Sequence, residues 1–298
     1  MKEDGSPIVD VYSPDSVAKA AGGNNVPVEL VEGNRLAVKD RYVASNVADS
    51  KEFAFKIYVR LNAKKISFKN VSFQHCVFDS CYLNNCVFDS CDFTGSRFVA
   101  CNLHQSSFSG CKFEYVTFER SQIDDDILES EAPSRENLKM RFARSLRMNF
   151  QQVGDAKAVN RAIRLELEAT SVYLKKSWSS SETYFSKKYP GWKKLPQFLK
   201  WVEFKALDVI WGNGESTFKL VRAIVATHVA IAIYSTVAFS DPWDIRSYLS
   251  NLALAPGVFF GISNAYDYPV WVSGMVSACR LLSFAFLTAI LVKRFGRR

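Results

Sequence analysis

The sequence predicts a multidomain chain of α and β structure: a β-helix, then a helical hairpin, then a two-helix transmembrane hairpin with a re-entrant loop. Three observations carry this prediction. Large apolar residues recur every five positions in the first half, apolar residues follow helical spacing in the middle, and two long apolar stretches lie near the carboxyl end. The charge is also uneven, with a net of −5 over residues 1–133 and +13 over residues 134–298. A basic half predicts an anionic neighbour, either nucleic acid or a lipid surface.

The repeat of five residues runs without interruption and has two columns. A smaller residue stands two positions before each large one, as in Cys76-Val77-Phe78. Neither the helical period of 3.6 nor the strand period of 2 keeps residues spaced by five on one face, whereas a coil that turns a corner every five residues does. The pattern therefore predicts a solenoid whose axis is filled by the large residues. These are Phe68, Phe73, Phe78, Leu83, Phe88, Phe93, Phe98, Leu103, Phe108, Phe113, Phe118 and Ile123.

This motif, seen here as CysValPhe, CysAspPhe and CysAsnLeu, resembles the pentapeptide-repeat family over about residues 64–123. The resemblance implies a right-handed quadrilateral β-helix with four pentapeptides per turn, so twelve units would give three turns. Before it, alternating residues from Phe53 to Leu61 predict a strand that caps the first turn. We place the β-helix and this strand at residues 51–124, after a mobile N-terminal segment over residues 1–50.

Six of the seven cysteines, from Cys76 to Cys111, occupy the small column of the repeat. A ladder of thiols could bind metal or form disulfides. The same column also holds Ile, Val and Ser, so we interpret these cysteines as small packing residues. Residues 1–50 lack an apolar secretory region, which predicts a reducing compartment and free thiols. Because His75, His104 and His228 lie far apart in the sequence, we expect no histidine-based metal site or catalytic machinery. No nucleophile-base pair, metal cluster or phosphate loop stands out either, so we expect no cofactor, no catalytic residues and no enzyme activity.

Residues 125–183 predict a linker followed by a helical hairpin. The acidic segment Asp124–Pro133 is the expected linker, Ser134 is a candidate N-cap, and Gly154-Asp155 separates the two helices. Arginines along the hairpin could form a nucleic-acid or lipid patch. We favour a solvated face in which Glu166 and Glu168 are their partners.

From residue 184 to 216, aromatic residues alternate with lysines. This composition fits either a single-strand nucleic-acid platform or a segment lying on an anionic membrane. The apolar stretches that follow favour the membrane, and we expect no nucleic-acid partner. The glycine-rich run Gly212–Glu215 is interpreted as a turn before Ser216, the expected N-cap of the first span. The candidate interfacial anchors are Trp192, Lys193, Lys194, Trp201 and Trp211.

Residues 217–298 contain two stretches, Leu220–Phe239 and Val270–Val292, each long enough to cross ~30 Å of hydrocarbon as a helix. Basic residues flank both at the same side, which predicts a two-pass membrane protein with both termini in the cytoplasm. The resemblance described next implies the bacterial cytoplasmic membrane. The alternative is a pair of buried helices in a soluble domain. The connection predicts a short helix over Tyr248–Ala255, ended by Pro256-Gly257, and then a re-entrant return. The pore-loop candidates are Ala255, Pro256, Gly257, Val258, Phe259, Phe260 and Gly261.

Residues 134–298 resemble the two-transmembrane, potassium-channel-like domain found fused to bacterial pentapeptide repeats. The resemblance is carried by PheGlnGlnValGlyAsp (150–155), AspValIleTrpGlyAsnGlyGlu (208–215) and the ending from Trp271 to Phe295. It implies a homo-oligomer, most simply a tetramer, in which the second helix of each copy lines an axial path. The loop lacks the Thr and Asp of a potassium filter, so the filter is degenerate and potassium selectivity is not implied.

Arg280 is the eleventh residue of the second span and lies near its middle. A charge at that depth faces a partner or water. It could join a ring of arginines in a pore, or make a static contact with His228 or a loop carbonyl.

Two functions remain open from the sequence. The first is an oligomeric ion-conducting or leak pore whose cytosolic repeat module senses or docks a protein trigger, in one variant a membrane-depolarising effector in phage defence. The second is a non-conducting, membrane-anchored interaction scaffold. A soluble DNA mimic is a weaker third class, because residues 66–123 have a net charge of only −1. The expected partners are membrane lipids, further copies of the chain and a docking protein.

Overall fold

The computed structural model describes residues 35–263 and 266–295, with side chains up to residue 292. The predicted mobile segment falls outside these residues up to residue 34. Across the described residues, nine short strands wind into a solenoid. They are β1 (Ala37–Lys39), β2 (Val47–Ala48), β3 (Ile57–Val59), β4 (Ser67–Lys69), β5 (Val77–Asp79), β6 (Val87–Asp89), β7 (Arg97–Val99), β8 (Ser107–Ser109) and β9 (Thr117–Glu119).

The strands form two parallel sheets on different faces of the solenoid. The odd-numbered strands make one sheet in sequence order and the even-numbered strands make the other. From β3 onward each residue pairs with the residue 20 positions later, as Phe78 does with Phe98. Isolated bridges such as Tyr82 to Asn102 and Asp92 to Lys112 define the two remaining sides. A turn therefore contains four five-residue units, and the solenoid has about four turns.

The solenoid begins earlier than the sequence predicts. The expected three turns from residue 64 are preceded by another, because β1 and β2 already pair with β3 and β4. The prediction of a mobile chain is therefore wrong for residues 37–48. The predicted capping strand from Phe53 to Leu61 is also wrong. Tyr58 is 2% exposed and stacks on Phe78, whereas Phe55 is exposed at a corner with φ 58.

Stacked aromatic rings fill the axis of the solenoid. Phe78 and Phe98 lie 4.7 Å apart between ring centroids, and Phe68 and Phe88 lie 5.1 Å apart. Burial of each ring contributes roughly 1.5–3 kcal/mol, and each ring pair adds roughly 0.5–1.5 kcal/mol. The corners oppose this, because residues such as Asn70 adopt a left-handed φ of 52, which costs about 1–2 kcal/mol in a residue with a Cβ atom. Ring stacking therefore offsets the strain of the corners.

Eight α-helices follow the solenoid in the described chain. They are α1 (Ile127–Ser130), α2 (Glu136–Val153), α3 (Ala156–Ser179), α4 (Thr183–Lys188), α5 (Lys194–Trp211), α6 (Thr217–Phe239), α7 (Ile245–Phe260) and α8 (Val270–Phe295), and a 3-10 turn (Gly191–Lys193) precedes α5.

The segment that was expected to be a plain linker closes part of the solenoid. Ile127 and Leu128 of α1 are buried in the solenoid core. The Glu131 carboxylate then accepts hydrogen bonds from the backbone N–H groups of Gly110 and Cys111, at 3.2 and 2.6 Å. The linker prediction fails because an acidic composition does not reveal that two apolar residues and one carboxylate complete the core and the backbone pairing.

The predicted helical hairpin is present as α2 and α3, which pack against each other. Gly154 ends α2 with a left-handed φ of 86, and Asp155 caps α3 by accepting a hydrogen bond from the Ala158 N–H at 2.9 Å. The predicted cap at Ser134 is wrong, since α2 begins at Glu136 without a side-chain cap.

The arginines of the hairpin pair with acidic residues. Arg144 and Arg147 both contact the Glu166 carboxylate at 2.9 Å. Arg161 pairs with Asp125 and Glu129, each at 2.6 Å. The predicted partnership with Glu166 is therefore confirmed, and part of the positive charge of the hairpin is compensated inside the protein.

Helix α2 seals the last turn of the solenoid. Its Ser145 hydroxyl accepts from the Phe118 N–H at 2.9 Å, and its Gln152 side chain accepts from the Arg120 N–H at 2.9 Å. Between them, Asn149 is fully buried and makes two bonds of 2.7 Å with the N–H and C=O of Ser121. An open sheet edge would leave these backbone groups free to pair with another chain. The helix thus acts as a cap for the strands.

Candidate membrane-spanning region

Helices α6 and α8 are long and apolar enough to cross a membrane by length and composition. Only 28% of the most apolar window of α6 and 6% of that of α8 is buried. An apolar core helix of a soluble protein is instead mostly buried. Most of the apolar surface of both helices is therefore open to lipid or to another protein surface.

The entry to α6 is fixed by polar contacts with α5. The Ser216 hydroxyl caps α6 by accepting from the Lys219 N–H at 3.2 Å, so the predicted turn and cap are confirmed. The Lys219 ammonium contacts the Asp208 carboxylate of α5 at 2.8 Å. The Arg222 guanidinium donates to the Val209 carbonyl at 2.7 Å. These bonds hold the end of α5 against the first turns of α6.

Helix α7 fills the connection between the two long helices. The predicted end at Pro256-Gly257 is wrong, because the helix continues to Phe260 and ends at Gly261 with a left-handed φ of 71. A proline inside a helix removes one hydrogen bond and crowds the carbonyl four residues earlier, but Pro256 is exposed, and Ala255 and Phe259 on either side of it pack into an apolar cluster with residues of α6. The pore-loop candidates from Ala255 to Phe260 are therefore helical, and Gly261 is the residue that ends the helix. Their role in conduction stays a prediction.

Arg280 of α8 reaches the end of α7. Its Nη1 donates to the Phe260 carbonyl at 3.0 Å. A Cβ atom on Gly261 would overlap the same guanidinium, so glycine is needed for this approach. A positive charge at a helix C-terminus is favourable because the terminal carbonyls carry partial negative charge. The sequence left open a contact of Arg280 with His228 or with a carbonyl of the predicted pore loop, and the structure shows the second, at Phe260.

His228 approaches the same end of α7 from α6. Its Nδ1 lies 2.7 Å from the Ile224 carbonyl one turn earlier, and its ring lies 4.8 Å from the Phe259 ring. Its ring also lies 6.4 Å from the Phe260 ring, next to the carbonyl that Arg280 contacts. The structure thus brings His228, Arg280 and the end of the pore-loop segment together.

A buried polar cluster between α6 and α7 was missed by the sequence reasoning. Asn251 is 2% exposed and donates to the Thr236 hydroxyl at 3.0 Å, while its oxygen accepts from the Tyr266 hydroxyl at 2.9 Å. The Ser235 hydroxyl lies 2.8 Å from the Tyr268 hydroxyl. Hydrogen bonds of this kind hold helices together where hydrocarbon offers no alternative partner. An asparagine inside an otherwise apolar helix was the signal that could have revealed the cluster.

The predicted interfacial anchors do not share one surface. Trp192 is 89% exposed and Lys193 is exposed, while Lys194 is half-buried. Trp201 instead packs against Trp178, with ring centroids 5.4 Å apart, and Trp211 stacks on Phe286 at 4.2 Å. These two indoles pack on protein, and of the five candidates only Trp192 and Lys193 are fully exposed.

The cysteines of the small column have a polar role as well as a packing role. Cys91 and Cys101 donate to carbonyls of the preceding turn at 3.4 Å. Ser96 and Ser106 form the same bond through their hydroxyl groups, at 2.5 and 2.6 Å. This explains why the column accepts both residue types. No disulfide joins any of the seven cysteines, and no group of three or more potential metal ligands occurs in the described part of the chain.

Two of the buried thiols, Cys86 and Cys101, resist ionisation. A hydrogen bond with the Cys81 thiol, followed by burial, raises the pKa of Cys101 far above its usual range. Burial also raises the pKa of Cys86. Because the thiolate is the reactive form, these side chains are poor nucleophiles near neutral pH.

Comparison with known proteins identifies the solenoid. A family model described as a pentapeptide repeat region matches residues 61–128. Residues 61–128 are a pentapeptide-repeat region. Two structures of trypsin-treated variants of QnrB1, described as a plasmid-mediated fluoroquinolone resistance protein, are similar at 15% and 14% identity, with TM-scores of 0.14.

Each of these matches covers 30% of this chain, and the chain spans 54% and 62% of the two QnrB1 structures. A similarity at that level carries no statement about activity. No curated protein matches the chain. The family match spans residues 61–128, so it covers the solenoid from residue 61 onward and not its first turn or the helices from α2 onward.

Proposed function

We propose that the chain is a two-pass protein of the bacterial cytoplasmic membrane and that copies of it, most simply four, assemble through α8 into an ion-conducting or leak pore. The observation that carries the proposal is the open surface of α8, of whose most apolar window only 6% is buried. A helix with so much exposed apolar surface in a single chain must be covered by lipid or by further copies of the chain. Its charged centre favours further copies over lipid.

Arg280 supplies that charged centre. An arginine at mid-membrane depth costs roughly 3 kcal/mol or more unless it meets a partner or water. The Phe260 carbonyl occupies one of its N–H groups. In an assembly around α8, the remaining N–H groups would face a water-filled path, and a ring of such charges would favour anions over cations.

The basic residues at both outer ends of the hairpin support a topology in which those ends and the pentapeptide-repeat region lie in the cytoplasm. The repeat region then serves as a sensing or docking module for a protein trigger. One form of this function is an effector that depolarises the membrane when triggered. The proposal assigns the chain no catalysis, no cofactor and no nucleic-acid partner.

A membrane-anchored scaffold without conduction is the second candidate. Two features of the end of α7 favour this candidate. The carbonyls up to Phe260 lie in a helix and not in an extended filter, and Arg280 is engaged within its own chain. A hairpin stabilised in this way could tether the repeat region near a partner without opening a path.

Ion flux through liposomes that contain the purified full-length chain separates the two candidates. A pore predicts leakage of K⁺, Na⁺ or Cl⁻, and Arg280→Gln should shift the ratio of anion to cation flux while Arg280→Lys preserves it. Cross-linking in the same liposomes reports the number of copies. Vesicles that stay tight while the protein cross-links as an oligomer would support the scaffold and reject the pore.

A further inference from the structure

Helix α5 exposes an unbroken apolar stripe, and we infer that this stripe lies in the interface of an anionic bilayer with its side chains directed toward the acyl chains. Six of its members other than Ala206 are large apolar residues that are 36% to 59% exposed. Successive residues of an α-helix are turned by ~100°, so the members occupy an arc of about 120° that contains no charged residue. They are Leu195, Phe198, Leu199, Val202, Ala206, Val209 and Ile210, all exposed.

The opposite face of α5 belongs to the protein. Helix α5 packs on α3 and α6. Trp201 meets Trp178 of α3, and Trp211 stacks on Phe286 of α8. Trp201 and Trp211 are therefore turned inward, Phe198 lies at the border with its ring also against Trp178, and the aliphatic members of the stripe are turned outward. A helix with this division has one face free for a partner.

The stripe continues into the surface of the proposed membrane spans, on which this inference rests. Val209 and Ile210 at its C-terminal end line a groove together with Ala223 of α6 and Leu282 of α8. The bond from Arg222 to the Val209 carbonyl holds the helix at this junction. An apolar stripe joined directly to two spanning helices is continuous with the surface that lipid would cover.

The charges around the stripe fit anionic headgroups. Lys194, Lys200 and Lys205 lie on α5 outside the arc, and Lys187, Lys188 and Lys193 precede the helix. The acidic residues of α5 are Glu203 and Asp208, and Asp208 is paired with Lys219. Lysine side chains beside an apolar face reach lipid phosphates while the face enters the boundary of headgroups and acyl chains by ~5–10 Å. The occupant we propose is therefore a bilayer that contains anionic lipid.

The test is a depth measurement on the full-length chain in nanodiscs of phosphatidylcholine and phosphatidylglycerol. An environment-sensitive fluorophore is placed at Leu199→Cys on the stripe or at Lys200→Cys, the exposed neighbour on the other side of the same helix. Both labels are made in a background with Cys111→Ser and Cys279→Ser, because these two cysteines are the ones that are not fully buried. Spin-labelled lipid then quenches whichever fluorophore contacts the acyl chains.

We expect quenching at position 199 to exceed that at position 200 by at least about threefold, since only the former faces the acyl region. Equal quenching at the two positions would overturn the inference. A water-excluded emission at position 199 without quenching by lipid would also overturn it, because protein would then cover the stripe. Resistance of the chain to extraction by alkaline carbonate is scored separately. If the chain resists extraction but fails the depth test, the membrane spans stand and only the inference about α5 is rejected. If the chain is extracted, both the spans and the inference are rejected.

Discussion

Replacing Asn149 by leucine removes the two hydrogen bonds that close the last turn of the solenoid, while keeping a side chain of similar size. The Asn149 side chain is 0% exposed and is bonded at 2.7 Å to both the N–H and the C=O of Ser121. In the variant both backbone groups stay buried without a partner. Each unpaired group costs about 1–3 kcal/mol, so we expect a loss of roughly 2–6 kcal/mol in the free energy of unfolding of the solenoid.

Gln152→Leu is the matched control for this experiment. Gln152 accepts the Arg120 N–H through the same kind of bond, but its side chain is exposed, so water can replace it. We expect a change within about 0.5 kcal/mol. The assay is denaturant unfolding of the detergent-solubilised full-length chain, followed by hydrogen exchange of the backbone amides of the solenoid. Equal losses in the two variants, or a loss under 1 kcal/mol for Asn149→Leu, would show that α2 does not close the solenoid in the way proposed.

Three further predictions follow from particular contacts. Gly95→Ala places a Cβ atom on the His75 ring at a left-handed φ of 72, so its melting temperature should fall below that of Gly110→Ala, which has a similar φ without the overlap. Because burial raises the pKa of the Cys86 thiol, its contribution to stability is present below the unfolded pKa of ~8.5 and is lost as pH rises above it. Denaturant midpoints at pH 7 and pH 10 should show that decrease, and unchanged midpoints would contradict it. Asn251→Val removes the buried bonds between α6 and α7 and should lower stability in detergent by about 0.6–1.7 kcal/mol, measured by thermal unfolding; no change would place the cluster outside the packing of the hairpin.

The solenoid was predictable where its period is regular and not where it slips. From Phe68 onward no other structure keeps a residue spaced by five on one face, so the repeat indicates the coil directly. The first turn is different, because Val47 of β2 pairs with Phe68 at an offset of 21 residues instead of 20. The period therefore shifts by one position, and residues 53–61 also fit a strand of period two. Residues 53–61 can be interpreted as part of the five-residue repeat or as a separate strand. The hydrogen bonds to the next turn decide between the two, and a single sequence does not reveal those hydrogen bonds.

The hairpin region was predictable in its lengths but not in its contacts. Ser216 as a cap and the two apolar spans follow from local rules of helix formation. The end of α7 does not, because burial of Ala255 and Phe259 outweighs the break that Pro256 predicts. The inward orientation of Trp201 depends on α3, which lies more than twenty residues away in the sequence. Local composition gives the kind of segment, and long-range packing selects which face meets the protein.

A continuous series of contacts connects the last turn of the solenoid to α6. Asn149 clamps α2 to the last turn of the solenoid, α2 packs on α3, α3 packs on α5, and the pair of Asp208 and Lys219 joins α5 to the first turn of α6. These contacts connect the solenoid to the entry of α6 without a flexible linker in between. We therefore expect a rotation of the solenoid to be transmitted through them to the first turn of α6.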